Sequence, residues 1–386
     1  MAGAALGYDA PMIRFPRLLS LACIVYLCIG CGSTPAAEPS TATASPSAQS
    51  VQPVQPTQPT QPTQPTQPTQ PTQAAGAGTL EVHEWGVIDA PAWGPFEVAA
   101  GAGNPEPESS RPMRKPVLYF HLDPGAPALD VDVTVRIPRG ALLEAWPAGP
   151  RGADTVTWAQ VRVAPCPNPA PSIAAQLPQL RERWASNDGY HEVLELPAYE
   201  TSDASCLTSG DRPARLLFYR GAIPPTPLPI EVVRDATGHP AMRASAAGSG
   251  SVLYVAGGRG IMLPWPAVGA EAGLPEAFTE SFEGVQLAQT LEREITARGL
   301  SAPEAAAFMR AWSMSFFGVA APSAGASRDL QEAGRETTRR AAVAPPPTLI
   351  YVMPDASVAR VAELTITPTP RAVRRVMVVR IELGPR

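Results

Sequence analysis

Residues 131–137, Val-Asp-Val-Thr-Val-Arg-Ile, alternate strictly between apolar and polar side chains. Successive side chains of a β-strand point to opposite faces, so this stretch predicts a strand with one buried face and one face in water. That arrangement is typical of antiparallel sheets. Further strand-like runs occur before and after this stretch at intervals of one to two dozen residues. Together they predict a β-rich α+β domain with sandwich-type antiparallel sheets. The other runs are residues 80–85, 117–122, 155–163, 215–219, 230–234, 251–255, 349–352, 364–367 and 373–383.

One segment has helical instead of strand spacing. Apolar side chains recur every four residues from Leu287 to Ile295, and glycine then ends the run. Ser301 and Glu304 have the spacing of a capping box, and an aromatic stripe follows them. We expect this stripe to pack in the core. The pattern predicts a helical hairpin over about 283–317, with helices at about 283–299 and 302–317.

The N-terminal segment has the features of an export signal. Basic residues precede an apolar run at 18–30, which is too short to cross a bilayer that needs about 20 residues. The run ends in Gly30-Cys31, which resembles a bacterial lipobox. The sequence therefore predicts a lipoprotein signal peptide at 1–30 and lipidation of Cys31. Met12 is favoured over Met1 as the start of translation, because it gives a signal of ordinary length. The alternative is a plain secretory signal that is cleaved nearby.

Residues 31–78 are rich in proline, glutamine and threonine and carry a single charge. Such a segment cannot bury enough apolar surface to offset the entropy of ordering, so we expect a disordered tether. Its Gln-Pro-Thr repeat matches the three-residue turn of polyproline II, and residues 51–73 would span roughly 70 Å. The tether either holds a domain away from the membrane or is a repeat whose length is not selected. The globular domain is expected at 79–386, with a long loop at 319–346.

The composition limits the partners that we expect. The net charge is −5, so no basic excess favours nucleic acid. Lipidation would make the membrane a partner, and an envelope polymer or protein is a possible second one. Gly32 follows Cys31 at the position where an Asp would resemble an inner-membrane retention signal. The absence of that Asp favours the outer membrane or cell surface of a bacterial envelope. The sequence predicts no cofactor.

Two cysteines remain after Cys31, namely Cys166 and Cys206. An even pair in an exported chain predicts a disulfide, and two free thiols are the alternative.

Two His-Glu pairs are the candidate metal ligands, His83-Glu84 and His191-Glu192. Imidazole and carboxylate ligands suit zinc. Adjacent strand residues point to opposite faces, so each pair can supply one ligand without a bulge. The alternative for His83 is a hydrogen-bonded strand residue, and for His191 a turn residue. No His-Glu-x-x-His occurs, which excludes the helical zinc-protease arrangement.

Trp93 lies between Pro91 and Pro95 in a predicted loop and is the best candidate for an exposed aromatic that stacks on a sugar. Burial in a sandwich core is the alternative for this and the other tryptophans. A serine hydrolase would need a nucleophile on a tight turn such as Gly-x-Ser-x-Gly, and that frame is absent.

Several short stretches resemble an uncharacterised family of exported bacterial proteins whose domain opens with His-Glu-Trp-Gly. The resemblance implies a single exported domain and assigns no catalytic residue. The function that we expect is therefore non-enzymatic binding or structural support by a domain displayed on a tether. The alternative is a metal-dependent envelope hydrolase that uses the His-Glu pairs. The matching stretches are residues 83–86, 116–120, 217–221, 366–370 and 373–383.

Overall fold

The computed structural model describes residues 77–92, 111–184, 192–225, 227–321 and 346–384. The predicted signal peptide, Cys31, nearly all of the tether and most of the loop at 319–346 lie outside the described residues. Within the described part of the chain, no helix is long and apolar enough to cross a membrane.

Seventeen strands and four α-helices form the described domain, with three short 3-10 helices at Ala77–Thr79, Ile173–Gln176 and Glu192–Tyr199. The α-helices are α1 (Leu177–Trp184), α2 (Gly284–Ala297), α3 (Ala302–Phe317) and α4 (Asp355–Val361). The strands are β1 (Leu80–Pro91), β2 (Arg111–Leu122), β3 (Leu129–Arg136), β4 (Ala141–Trp146), β5 (Thr155–Ala164), β6 (Cys206–Ser209), β7 (Arg212–Ala214), β8 (Leu217–Ile223), β9 (Ile230–Arg234), β10 (Pro240–Ala244), β11 (Ser251–Ala256), β12 (Arg259–Pro264), β13 (Glu271–Gly273), β14 (Phe282–Glu283), β15 (Thr348–Val352), β16 (Glu363–Thr367) and β17 (Ala372–Glu382).

The largest sheet has nine strands in the order β14-β12-β11-β15-β17-β1-β2-β8-β4. Its pairs are antiparallel except for β1 and β17, which run parallel at its centre. The predicted β-rich α+β class is confirmed, and the parallel pairing of β1 with β17 departs from the antiparallel expectation. Central strands covered on both faces lose the alternation of apolar and polar residues, and most of β1 is buried on both faces.

Residues 131–136 of the alternating stretch lie in β3, which belongs to a second sheet with the order β16-β3-β5-β6-β7. Val131, Val133 and Val135 are fully buried in the core. Of the residues between them, Thr134 meets Thr157 on the neighbouring strand, where their hydroxyl oxygens lie 3.2 Å apart. One face is therefore dry and the other half-exposed, as the alternation predicts. A third sheet, β13-β10-β9, completes the domain.

The helical hairpin is confirmed as α2 and α3. Ser301 caps α3 by accepting a hydrogen bond from the Glu304 amide at 3.3 Å, and Glu304 Oε2 accepts from the Ser301 amide at 2.8 Å. Gly318 ends the helix in the left-handed region, at a φ of 69°. Phe308 packs edge-on against Trp85 of β1, with ring centroids 5.3 Å apart. The hairpin thus covers one face of the central sheet beside β1.

Cys166 and Cys206 form a disulfide, as the sequence predicts, with their Cα atoms 4.8 Å apart. Cys206 is the first residue of β6, and Cys166 follows the end of β5, its neighbour in the second sheet. The disulfide therefore cross-links the ends of β5 and β6, whose connection contains α1 and two of the 3-10 helices.

Candidate functional site

The candidate site is a buried cluster of His83, His121 and Glu304. His83 lies on β1, His121 is the penultimate residue of β2, and Glu304 lies in the first turn of α3. The antiparallel register places Glu81 opposite His121 and Tyr119 opposite His83. The two histidines are thus diagonal neighbours on one face of the sheet, and their ring centroids are 4.5 Å apart.

Glu304 joins both imidazoles from the helix side. His83 Nδ1 lies 2.7 Å from Glu304 Oε2, and His121 Nε2 lies 2.8 Å from Oε1. An ionised carboxylate can only accept hydrogen bonds, so each of these two nitrogens carries a proton and donates. Oε2 also accepts from the Ser301 amide, which restrains the orientation of the carboxylate.

Burial and hydrogen bonding act in opposite directions on Glu304, whose side chain is wholly buried. Burial raises the pKa of a carboxyl group, but the hydrogen bonds and charges of His121 and His83 have the larger effect on Glu304 and lower its pKa to about 2. The position in the first turn of a helix also favours a negative charge. Glu304 is therefore a carboxylate at every physiological pH.

The pKa of His83 is shifted in the opposite direction to that of Glu304. Burial alone would lower the pKa of its imidazole, but the hydrogen bonds and negative charges of Glu304 and Glu81 outweigh burial, so the pKa is raised. Glu81 Oε1 lies 3.3 Å from His83 Nε2 and also accepts from Arg374 Nε at 3.2 Å. His83 Nε2 itself is buried and makes no hydrogen bond of good geometry. One ring thus has a carboxylate on each side.

The same three side chains are a possible metal-ligand set. One ligand atom from each of them lies within 4.8 Å of the others. Two imidazole nitrogens and a carboxylate oxygen are ligands that zinc accepts. The His121 side chain is 19% exposed, whereas the other two are nearly closed to solvent, so water reaches the cluster from the His121 edge.

Glu84 does not join this cluster, because it points to the opposite face of β1. Its Oε1 accepts a hydrogen bond from the Tyr219 hydroxyl at 2.6 Å, and its Oε2 pairs with the Arg375 guanidinium. Arg375 also donates from Nη1 to the Ala362 carbonyl at 2.7 Å. The pair His83-Glu84 therefore supplies one member to each of two separate centres, as strand alternation predicts.

Glu192 is also held in an ionic network of its own. It opens the 3-10 helix at 192–199, and its carboxylate accepts from Arg114 Nε at 2.9 Å and from the Lys115 amide at 3.0 Å. Lys115 pairs in turn with Glu195. These contacts assign Glu192 to the attachment of that helix to β2. His191 and Trp93, the other two candidates, lie outside the described residues.

Sequence reasoning found His83 but missed His121 and Glu304 as its partners. Glu304 was recognised only as a capping residue, and nothing in the sequence places it beside two histidines that lie 183 and 221 residues away. The one usable signal was the register of β1 and β2, because a hairpin pairing of these strands brings the histidines to one face.

Comparisons with known proteins add nothing to this site. No protein-family model matches the chain, and a search of curated proteins finds no match. The interpretation of the cluster therefore depends on its geometry and chemistry.

Proposed function

We propose that this protein is an exported lipoprotein that displays a non-enzymatic binding or structural domain on a proline-rich spacer. Cys31 carries the lipid, residues 31–78 form the spacer, and residues 79–386 form the domain. The observation that carries the proposal is the Cys166–Cys206 disulfide within the domain, because disulfides persist in oxidising compartments outside the cytosol. The Gly30-Cys31 pair in front of the spacer supports the same destination.

The chemistry of the buried cluster supports a role without catalysis. His83 is 7% exposed and Glu304 is fully buried, so a polymer or protein substrate has no direct access to the carboxylate. The contacts of Glu304 with His83 and His121 hold α3 on the central sheet. The cluster thus contributes to the attachment of the helical hairpin, and a partner would be bound by the outer surface of the domain.

The partners that fit this proposal are the membrane, through the lipid, and a polymer or protein of the bacterial envelope. The outer membrane or the cell surface is the favoured location. Trp93 remains the proposed residue for stacking on a sugar ring. Lipid chains anchor stably when two or more act together, which a lipidated N-terminal cysteine provides.

The proposal is tested by labelling growing bacteria that express the full chain with a palmitate analogue. We expect label and membrane association in the wild type and in Cys28→Ser, which changes the other cysteine near the end of the signal. Cys31→Ser should lose both. Equal label in Cys31→Ser, or no label in the wild type, would contradict lipidation at this residue.

A metal-dependent envelope hydrolase is the second candidate. The observation that favours it is that His83 meets a second histidine and a carboxylate, although these are His121 and Glu304 and not the predicted partners. The test is release of soluble fragments from isolated envelope polymer by the full chain with added Zn²⁺. Release of fragments by the wild type that disappears in His121→Gln would favour the enzyme. No release by the wild type would favour the binding function.

A further inference from the structure

We propose that His83, His121 and Glu304 bind one divalent transition metal ion of the zinc class. The site is independent of lipidation, so its failure would leave the proposed lipoprotein untouched. Three separate elements, β1, β2 and α3, each contribute one side chain to it. Their candidate ligand atoms already lie within 4.8 Å of one another.

Shifts of the three side chains by about 0.5–1.5 Å would bring their ligand atoms to the separations found around zinc. Zinc holds nitrogen and oxygen ligands at about 2.0–2.1 Å, so two tetrahedral ligands lie about 3.3 Å apart. Nδ1 of His83 and Nε2 of His121 are now 2.7 Å and 2.8 Å from the oxygens of Glu304. To admit the ion, each of these contacts would widen by about half an ångström, and the widest separation among the three ligand atoms, at most 4.8 Å, would close by up to about 1.5 Å. Each imidazole would then bind the metal through the nitrogen that now donates to Glu304, as a neutral ring whose proton sits on its other nitrogen.

Groups outside the three ligands are arranged as metal sites require. A histidine that binds metal through one nitrogen normally donates its other N–H to a carboxylate or carbonyl. His83 Nε2 is buried without a well-aligned partner, and Glu81 Oε1 stands 3.3 Å from it. The Ser301 amide holds Glu304 Oε2 at 2.8 Å and fixes the orientation of the carboxylate. Two of the three ligands thus have an outer contact in place.

The local charge also favours a cation. Glu304 is buried and ionised, and Glu81 adds a second carboxylate beside His83. Glu81 is neutralised from outside by Arg374 at 3.2 Å and Arg371 at 3.5 Å, which leaves Glu304 to be balanced from within the cluster. A divalent ion bound between the two imidazoles and Glu304 would supply that balance.

The bound ion would fasten the helical hairpin to the central sheet. Three protein ligands leave a fourth position on tetrahedral zinc. His121 is the most exposed of the three side chains, so solvent would supply the remaining ligand from its side. Loading the site would release protons, because the imidazoles must be neutral to bind.

The test uses the full chain, purified in detergent through a tag without histidine and stripped of metal before titration with Zn²⁺. We expect about one zinc per chain and a higher melting temperature on loading. His121→Gln should weaken binding more than tenfold, because it removes a ligand while glutamine can still donate a hydrogen bond to Glu304. The matched control is His239→Gln, since His239 is exposed and its ring lies 2.8 Å from Glu276, outside the cluster.

Substoichiometric zinc in the wild type, or equal affinity in His121→Gln, would overturn the proposal. Cobalt provides a second measurement that does not depend on the folding of a variant. Wild-type chain loaded with Co²⁺ should show the intense visible absorption of a four-coordinate ion, and His239→Gln should match it. A spectrum like that of aqueous Co²⁺ would count against the site.

Discussion

The buried pair of Glu84 and Arg375 gives the sharpest test of how the central sheet is held together. Glu84 is fully buried and satisfies two partners, because its Oε1 accepts from Tyr219 and its Oε2 from Arg375. Burial alone would lower the pKa of the Arg375 guanidinium, but the charge of Glu84 outweighs burial and raises it. The two residues stand opposite each other on the parallel strands β1 and β17.

Glu84→Leu should lower the free energy of unfolding by about 4 kcal/mol. Removal of one partner from a buried ion pair typically costs about 3–5 kcal/mol, because the remaining charge stays desolvated. The Tyr219 hydroxyl also loses its acceptor, but that loss is not simply additive within one network. The double variant Glu84→Leu/Arg375→Leu removes both charges, so we expect it to lie within about 2 kcal/mol of the wild type.

Urea unfolding followed by tryptophan fluorescence measures these differences, with an exposed pair as the control. Arg162 and Asp130 lie 3.0 Å apart on β5 and β3, and both side chains are largely exposed. Asp130→Asn should therefore cost less than about 1 kcal/mol. The reasoning fails if Glu84→Leu costs no more than this control, or if the double variant loses as much as the sum of the two single variants.

Three further predictions concern other parts of the domain. Cys166→Ser/Cys206→Ser opens a loop closed across 40 residues and should lower the free energy of unfolding by about 4 kcal/mol; an unchanged urea midpoint would contradict this. Burial of Glu144 raises its pKa from 4.5 to about 7, so the folded state keeps a proton that the unfolded state releases. Stability should fall between about pH 4.5 and pH 7, by up to about 3 kcal/mol relative to Glu144→Gln, and a pH-independent difference in urea titrations would refute it. Gly140→Ala would place Cβ 2.3 Å from a backbone oxygen and should cost about 2 kcal/mol or more in unfolding free energy, whereas Gly273→Ala meets nothing within 4 Å and should leave it within about 0.5 kcal/mol.

Local patterns in the sequence were enough to predict the class of fold. The alternation at 131–137 predicts β3 because strand geometry alone decides which side chains are buried. The spacing from Leu287 to Phe316 and the capping pair at Ser301 and Glu304 predict the hairpin for the same kind of reason, since helix periodicity and capping act within a few residues. The disulfide also followed, because only two cysteines remained to pair.

The site could not be predicted in the same way, since it depends on contacts distant in sequence. His83 and His121 come together only when β1 and β2 pair in one particular register. Glu304 then approaches them because its helix packs against that face, and a residue with a complete local role as a helix cap gave no sign of a second one. Likewise, the parallel pairing of β1 with β17 joins strands from the two ends of the domain, which local hydrophobicity does not specify.

The His-Glu dipeptide at 83–84 shows why adjacency in sequence misled the search for ligands. On strand β1 its two side chains are directed to opposite faces, and each finds a charged partner on a different element. His83 connects the sheet to α3, while Glu84 connects β1 to β17 and, through Arg375, to the segment before β16. A central strand buried on both faces has to pair its charged side chains in this way, since an unpaired charge there would be costly. Two adjacent polar residues in a buried strand therefore indicate two separate networks, and a search for a shared site has to follow each residue across its own face of the sheet.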